Sequence, residues 1–399
     1  IVSFVTAYST WLLRSAPSPT VVVGRDGRIS GEMVKNLVIA TLQSMGIDVT
    51  DLDYSTTPSV EMYVRTSGAS GGIIITASHN PAEWNALKFL NAEGEFISPE
   101  AGDEIRVMAE SQDAGFIYAS VKNLGRISRV PDAIDQHIMA ILEHPLIDAR
   151  VVAGSKLRAV VDCINSTGSI SIPPLLEALG VEYVLLHEEL TGEFAHNPEP
   201  LPEHLGLLCE SVRSYEANIG VSIDPDVDRL ALVGEDGVFF GEEYTLVCAA
   251  DYVLRHKKGP LVTNLSSSRA LRDLASTFDV PCYYAPVGEV HVVREMKARG
   301  AVLGGEGNGG VIDPALHYGR DAMMGLALIL MHLATSGQSL SQLKKGYPAY
   351  AMVKDKITFD PTLSPQSLVD KVAEHFKNER LDTRDGLKID LDTGWVQLR

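Results

Sequence analysis

The sequence predicts an α/β protein of several domains, and three observations carry that prediction. Short apolar runs rich in β-branched residues alternate with helix-length segments, the pattern of parallel α/β units. A chain of 399 residues is too long for one hydrophobic core, so two to four domains are expected. Three successive strand–loop–helix units each carry a polar loop, which hints at repeated domains without a strict sequence repeat.

The elements follow in order. Ile1 to Leu13 is fairly apolar but broken by Ser, Thr and Tyr and has no basic leader, so it reads as an amphipathic helix and not as a signal peptide or anchor. Val21-Val22-Val23 is a strand ending in the polar loop Gly24-Arg25-Asp26-Gly27-Arg28, with a helix after Ser30. Ile47 to Tyr54 is a strand, and a helix begins at about Pro58. Gly72 to Ile75 is a strand that runs into Thr76-Ala77-Ser78-His79-Asn80-Pro81, and Lys88 lies on a strand returning from that loop. Glu110 to Val130 has little periodicity and leads out of the first domain.

The second unit opens with a helix near Pro131. Leu157 to Asp162 is a buried strand, followed by the turn Asn165-Ser166-Thr167-Gly168 and a helix. Val181 to Leu186, Ile219 to Ile223 and Leu230 to Val233 are strands, and Glu235-Asp236-Gly237 is a hairpin turn. In the third unit Leu261 to Leu265 is a strand, Ser266-Ser267-Ser268 caps a helix, Ala301-Val302-Leu303 leads to a glycine-rich loop, and Ala322 to Ala334 is a long helix. After Pro348 the pattern changes to a strand at Ile357, a helix over Leu368 to Phe376 and paired strands between Leu387 and Leu398, the start of an α+β domain. The domain boundaries read 1–130, 131–238, 239–347 and 348–399.

Composition narrows the function classes. The chain is 45% hydrophobic and 22% charged, ordinary for a soluble globular protein, and its net charge is −18. That charge argues against nucleic acid or an anionic membrane as the main partner, and a phosphorylated small substrate then needs a local basic pocket. The four cysteines form no CxxC and have no histidine at zinc-ligand spacing, so they read as buried free thiols of a cytoplasmic protein. No stretch is long and apolar enough to span a membrane. The chain begins without Met and stops at Arg399 in mid-strand pattern, and both ends read as cut.

Three loops carry chemistry. Ser78 is presented at the carboxyl end of a strand, where open α/β sheets gather ligands. In Asp224-Pro225-Asp226-Val227-Asp228-Arg229 three carboxylates at alternate positions point to one side and can converge on a hard divalent cation, beside a guanidinium suited to phosphate. An EF-hand is excluded because Arg229 replaces the glycine its loop requires, and a solvated acidic turn leaves the flanking apolar residues unexplained. Together these loops suggest a serine that carries a phosphoryl group and a metal that neutralises it. A lysine such as Lys88 near such a site can have a depressed pKa and shuttle a proton. In Gly304-Gly305-Glu306-Gly307-Asn308-Gly309-Gly310, Glu306 and Asn308 can accept from and donate to adjacent sugar hydroxyls, whereas a dinucleotide reading fails for want of a regular GxGxxG.

In their order and spacing, the three loops resemble those of the α-D-phosphohexomutase superfamily, over essentially the whole chain. The resemblance implies three similar mixed α/β domains around a central cleft plus a partial C-terminal α+β domain. It implies interconversion of hexose 1- and 6-phosphates, with Ser78 as the phosphoserine and magnesium held by Asp224, Asp226, Asp228 and the Ser78 group. Lys88, ten residues on, matches the family's proton shuttle, with His79 assisting. Arg229 would contact phosphate, and Glu306 and Asn308 the sugar, Asn308 replacing a usual serine. A hexose 1,6-bisphosphate would be intermediate and activator, and a homodimer is compatible with the sequence. Among substrates glucosamine phosphate leads, with glucose or mannose phosphate close behind. Gly310 stands where some relatives have a histidine, and His317 lies a few residues on. The fourth domain's phosphate loop is missing, since Gly394 to Arg399 resembles only the strand entering it. A metal-dependent phosphatase and a non-catalytic sugar-phosphate binder are the alternatives.

Overall fold

The computed structural model describes residues 1–111, 115–356 and 364–399. The first sheet contains β1 (Thr20–Arg25), β2 (Asp48–Tyr54), β3 (Gly71–Ile75), β4 (Leu87–Leu90) and β5 (Ile127–Arg129), in the order β4-β3-β1-β2-β5. Its helices are α1 (Val2–Leu13), α2 (Gly31–Ser44), α3 (Thr57–Ser67) and α4 (Pro99–Glu110). The second unit has α5 (Ala133–Leu142), α6 (Ala149–Gly154), α7 (Gly168–Ala178) and α8 (Gly206–Ser214). They accompany β6 (Arg158–Asp162), β7 (Glu182–Leu186), β8 (Ile219–Ile223) and β9 (Leu230–Gly234), ordered β7-β6-β8-β9.

The third unit has β10 (Leu261–Asn264), β11 (Cys282–Ala285), β12 (Leu303–Glu306) and β13 (Gly310–Ile312), ordered β11-β10-β12-β13. Its helices are α9 (Glu242–His256), α10 (Ala270–Thr277), α11 (Glu289–Arg299), α12 (Ala322–Ser336) and α13 (Leu340–Gly346). The C-terminal segment adds α14 (Pro365–His375) and an antiparallel sheet of β14 (Arg380–Asp382), β15 (Leu387–Asp390) and β16 (Trp395–Leu398). The strand expected at Ile357 lies outside the described residues.

One topology recurs three times. In each unit the first strand lies between the second and third and runs parallel to both, and the fourth returns antiparallel along the third. The connection from third to fourth strand therefore occupies the same place in every unit. Those three connections hold Ser78, the aspartates and the glycine-rich turn. The repetition is in topology and not in sequence, because any buried, β-branched strand satisfies a parallel sheet covered on both faces. Strands β3, β8 and β9 are buried along their whole length. The largest core joins the second and third units around α9 and α12, both buried almost throughout. Among the described residues no single helix is long and apolar enough to cross a membrane.

Several expectations need correction. The N-terminal helix forms, but residues Val5 to Ser9 are buried together, so it is not amphipathic. Thr6 and Ser9 satisfy their hydroxyls within the helix, donating to the carbonyls of Val2 and Val5 at 2.9 and 2.7 Å, while the Tyr8 hydroxyl donates to the Leu90 carbonyl of β4 at 2.6 Å. The chain after α4 returns to the first sheet as edge strand β5, whose exposed residues give no periodicity to read. The triple serine does not supply the N-cap of α10, which is Arg269. Only Ser268 contributes there, accepting from the Ala270 N–H at 3.2 Å, while Ser267 bonds to Thr263 and Asn264 and Ser266 donates to Gln397 of the C-terminal sheet. The third strand of the third unit starts at Leu303 and includes Gly304 to Glu306, so only residues 307–309 form the turn. All four cysteines are free, with Cys163 and Cys248 buried and Cys209 and Cys282 half-buried.

Candidate active site

Ser78 follows β3 on a backbone with φ of 49°, and Val227 in the aspartate loop has φ of 62°. Left-handed backbone is costly for both, most of all for a β-branched residue, and persists only where surroundings enforce it. Here they do. The Ser78 hydroxyl donates to Asp224 Oδ2 at 2.8 Å, joining the two loops across 146 residues. Val227 is fixed on both sides, its N–H bonded to the Asp224 carbonyl and its carbonyl accepting from the Ala322 N–H.

Arg28 lies beneath the serine loop with its side chain fully buried and donates to the carbonyls of Ser78, Asn80, Pro81 and Trp84. Asp26 accepts from Arg28 Nε at 3.0 Å and from the Thr76 hydroxyl at 2.7 Å. Burial pushes the Asp26 carboxyl up to about 6 against the pull of Arg28. The turn at 165–168 clamps the aspartate loop. The hydroxyls of Ser166 and Thr167 both donate to the Pro225 carbonyl at 2.7 Å, and Ser166 Oγ accepts from the Gly27 N–H at 3.1 Å.

The three aspartates are buried, and one carboxylate oxygen from each lies within 4.8 Å of the others. Asp224 Oδ1 accepts from the N–H groups of Asp228 and Arg229 at 3.1 Å each. Asp226 Oδ2 accepts from the Thr57 hydroxyl and from Lys88 Nζ, the latter at 2.7 Å. Asp228 Oδ2 accepts from Lys88 Nζ at 3.2 Å and Arg320 Nη2 at 2.7 Å. Asp226 Oδ1 and Asp228 Oδ1 are buried with no hydrogen-bond partner. Two orphaned, charged oxygens in an all-oxygen donor set fit a hard divalent cation.

The electrostatics follow from crowding. Burial and the charges of Asp228 and Asp226 raise the Asp224 carboxyl well above the carboxylate range. Asp228 goes the other way, because Arg320 and Lys88 outweigh its burial. Lys88 departs from the depressed lysine expected. Burial lowers its pKa, but Asp226 and Asp228 more than reverse that, so it is held as an ammonium. His79 has Nδ1 3.4 Å from Ser78 Oγ, and burial together with Arg229 lowers its pKa. Arg229 is mostly buried, yet its Nε has no hydrogen-bond partner.

The third loop joins through a residue the sequence reading did not single out. Arg320 donates to Asp228, to Glu306 Oε2 at 2.8 Å and to Glu289 Oε2 at 2.9 Å. Glu306 Oε1 accepts from Asn264 Nδ2 at 2.8 Å and the Gly288 N–H at 3.0 Å. Burial raises the Glu306 carboxyl, but Arg320 and these donors hold it below its usual value. Asn308 is half-buried and accepts from the Gly310 N–H at 3.3 Å. His317 is buried and pairs with other residues, its Nε2 3.2 Å from Asp321 Oδ2 and its Nδ1 3.5 Å from Glu61 Oε2. Arg28, Thr57 and Arg320 went unrecognised. The one sequence signal for Arg320 is its place beside Asp321, the N-cap of the most apolar helix.

A serine hydroxyl, a carboxylate trio and the cations Lys88 and Arg320 meeting where three repeated α/β units converge define a multidomain α/β enzyme built for phosphoryl transfer. Residues 1–115, 135–237 and 241–350 match the profiles of phosphoglucomutase/phosphomannomutase α/β/α domains I, II and III. The chain is 37% identical over 398 residues to the phosphoglucomutase/phosphomannomutase of Thermococcus kodakarensis, covering 98% of this chain and 86% of the relative. It is 33% identical over 385 residues to a Methanopyrus kandleri protein named a probable phosphoglucosamine mutase, covering 95% and 83%. The crystal structure of a phosphoglucomutase/phosphomannomutase family protein from Burkholderia thailandensis superposes with a TM-score of 0.83 at 26% identity, covering 99% of this chain and 84% of that one. The chain belongs to the phosphoglucomutase/phosphomannomutase family.

Proposed function

We propose that this phosphohexomutase carries its phosphoryl group on Ser78 and passes it to the free hydroxyl of a bound hexose phosphate. The observation that carries this reading is the Ser78 hydroxyl 2.8 Å from Asp224, at the edge of a carboxylate trio with two orphaned oxygens. A magnesium ion held by Asp224, Asp226, Asp228 and the Ser78 oxygen would offset charge on the transferring group and draw the aspartate charge off Lys88. Arg229, with an unpaired guanidinium nitrogen, donates to phosphate oxygen. Lys88 exchanges a proton with the sugar hydroxyl, and His79, with Nδ1 3.4 Å from Ser78 Oγ, assists. Glu306 and Asn308 address sugar hydroxyls from the third unit, with Arg320 fixing the Glu306 carboxylate toward the aspartates. The bisphosphorylated sugar turns in the cleft and returns its other phosphate to Ser78, so hexose 1,6-bisphosphate both forms on the path and activates an unphosphorylated chain.

Glucosamine phosphate is the substrate we favour. Its support is the sugar hairpin and the phosphoglucosamine mutase names among the relatives. A coupled assay on glucosamine, glucose and mannose 1-phosphates tests both levels. Isomerised 6-phosphate, largest from glucosamine 1-phosphate, is expected. Release of inorganic phosphate without isomer would identify a phosphatase instead.

A further inference from the structure

We propose that Asp162, His187 and His196 form a second metal site, selective for a borderline divalent transition ion such as zinc and separate from the aspartate trio. Asp162 is buried at the carboxyl end of β6, and one donor atom from each of the three residues lies within 4.8 Å of the others. Asp162 Oδ1 is 2.9 Å from His187 Nδ1 and accepts from the Ile164 N–H at 3.0 Å. Asp162 Oδ2 is 2.8 Å from His196 Nε2.

The tautomer of His196 points to a bound electrophile. Its Nδ1 lies 2.8 Å from the Asn197 carbonyl, which can only accept, so Nδ1 carries the hydrogen. In a neutral imidazole, Nε2 then turns a lone pair toward a carboxylate oxygen at 2.8 Å, a repulsive contact unless a cation lies between them. The buried cluster of His137, His317 and Asp321 makes no such demand at His137. There the Ser59 hydroxyl, which accepts from Thr56, donates to His137 Nδ1 at 3.0 Å, and His137 Nε2–H donates to Asp321 at 2.9 Å.

Three features favour a metal over a proton at His196. Two imidazoles and one carboxylate are the donor set that nitrogen-seeking divalent ions take, whereas magnesium takes oxygen. A backbone carbonyl on the far nitrogen is the orienting contact that metal-bound histidines commonly make. The side chains of His187 and His196 are 23% and 18% exposed, which leaves room for water ligands. The ion would staple the loop that carries Gly192, packed on the Gly27 carbonyl, and Phe194, whose ring is 5.1 Å from the Arg28 guanidinium. It would thus support the arginine that holds the serine loop.

The test is titration of the metal-stripped full chain with cobalt(II) in excess magnesium, read by visible absorption. About one equivalent should bind, zinc should displace it, and His187→Ala and His196→Ala should each weaken binding roughly tenfold or more while Asp224→Asn leaves it unchanged. Absent cobalt bands, or binding indifferent to both histidine variants, would overturn the site. If the variants fail to fold, ¹⁵N NMR of the wild type with zinc decides. An unprotonated, zinc-shifted His196 Nε2 supports the site, and an Nε2 still protonated at pH 8 refutes it.

Discussion

The Arg28 guanidinium donates to the Ser78 carbonyl at 2.5 Å, and the same side chain reaches the carbonyls of Asn80 and Pro81 at 2.7 Å and Trp84 at 2.8 Å. Four carbonyls turned toward one cation close the serine loop into a ring. The left-handed backbone at Ser78 is thereby imposed from a residue 50 positions earlier.

Arg28→Lys keeps the charge but removes the planar fork, and a single ammonium cannot reach all four carbonyls. A displacement of about 1 Å at the serine is enough to cost on the order of 100-fold in kcat. We expect that loss with KM little changed, together with a Tm lowered by several degrees, from steady-state kinetics and thermal melts. An unchanged kcat would show that the ring does not position the serine.

Ser78→Ala removes the atom proposed to carry the phosphoryl group. Incubation with hexose 1,6-bisphosphate should add one phosphoryl group to the wild type by intact mass and none to the variant. Turnover should fall on the order of 10³-fold or more. A variant that is still phosphorylated would move the assignment elsewhere.

Arg320 neutralises three buried carboxylates, those of Asp228, Glu289 and Glu306. Arg320→Met leaves Glu289 and Glu306 without their cation and Asp228 with Lys88 alone, and a broken buried pair costs about 3–5 kcal/mol. Denaturant titration should show that loss, with Arg320→Lys recovering part of it. Burial already pushes Glu289 toward its neutral form, so Glu289→Gln should destabilise less than Glu306→Gln. Equal costs would contradict the ordering.

What was legible in the sequence was local. Buried strands declared themselves as β-branched runs, and Ser78 and the aspartates stood out because their chemistry is concentrated in six consecutive residues. Lys88 was legible as a strand residue returning from the loop. Arg28, Thr57 and Arg320 act across 50, 169 and 92 residues, and nothing in their neighbours marks those contacts. The Lys88 pKa went the wrong way because burial and two carboxylates oppose each other, and only distances decide between them. The N-terminal helix looked amphipathic because the helices that cover it, α2 and α4, come later in the chain.

Glu243 supplies the pH prediction. It opens α9 beneath the sugar hairpin, buried, with Oε2 accepting from the Ser268 N–H and Oε1 without a partner. Gly307 packs directly on that oxygen, where a Cβ would come within 2.3 Å of it. Burial pushes the Glu243 carboxyl from 4.5 up to about 7. The folded state therefore holds a proton that the unfolded chain gives up at lower pH. Its stabilisation is complete below about pH 4.5 and is lost as the pH rises through about 7, a change on the order of 2–3 kcal/mol. Glu243→Gln is neutral throughout and keeps an oxygen for Ser268. Denaturation midpoints of wild type and variant should agree at pH 4.5 and diverge toward pH 8, with the variant the more stable. Parallel curves would mean that Glu243 is ionised in the fold across the whole range and that its unpartnered oxygen has found a donor.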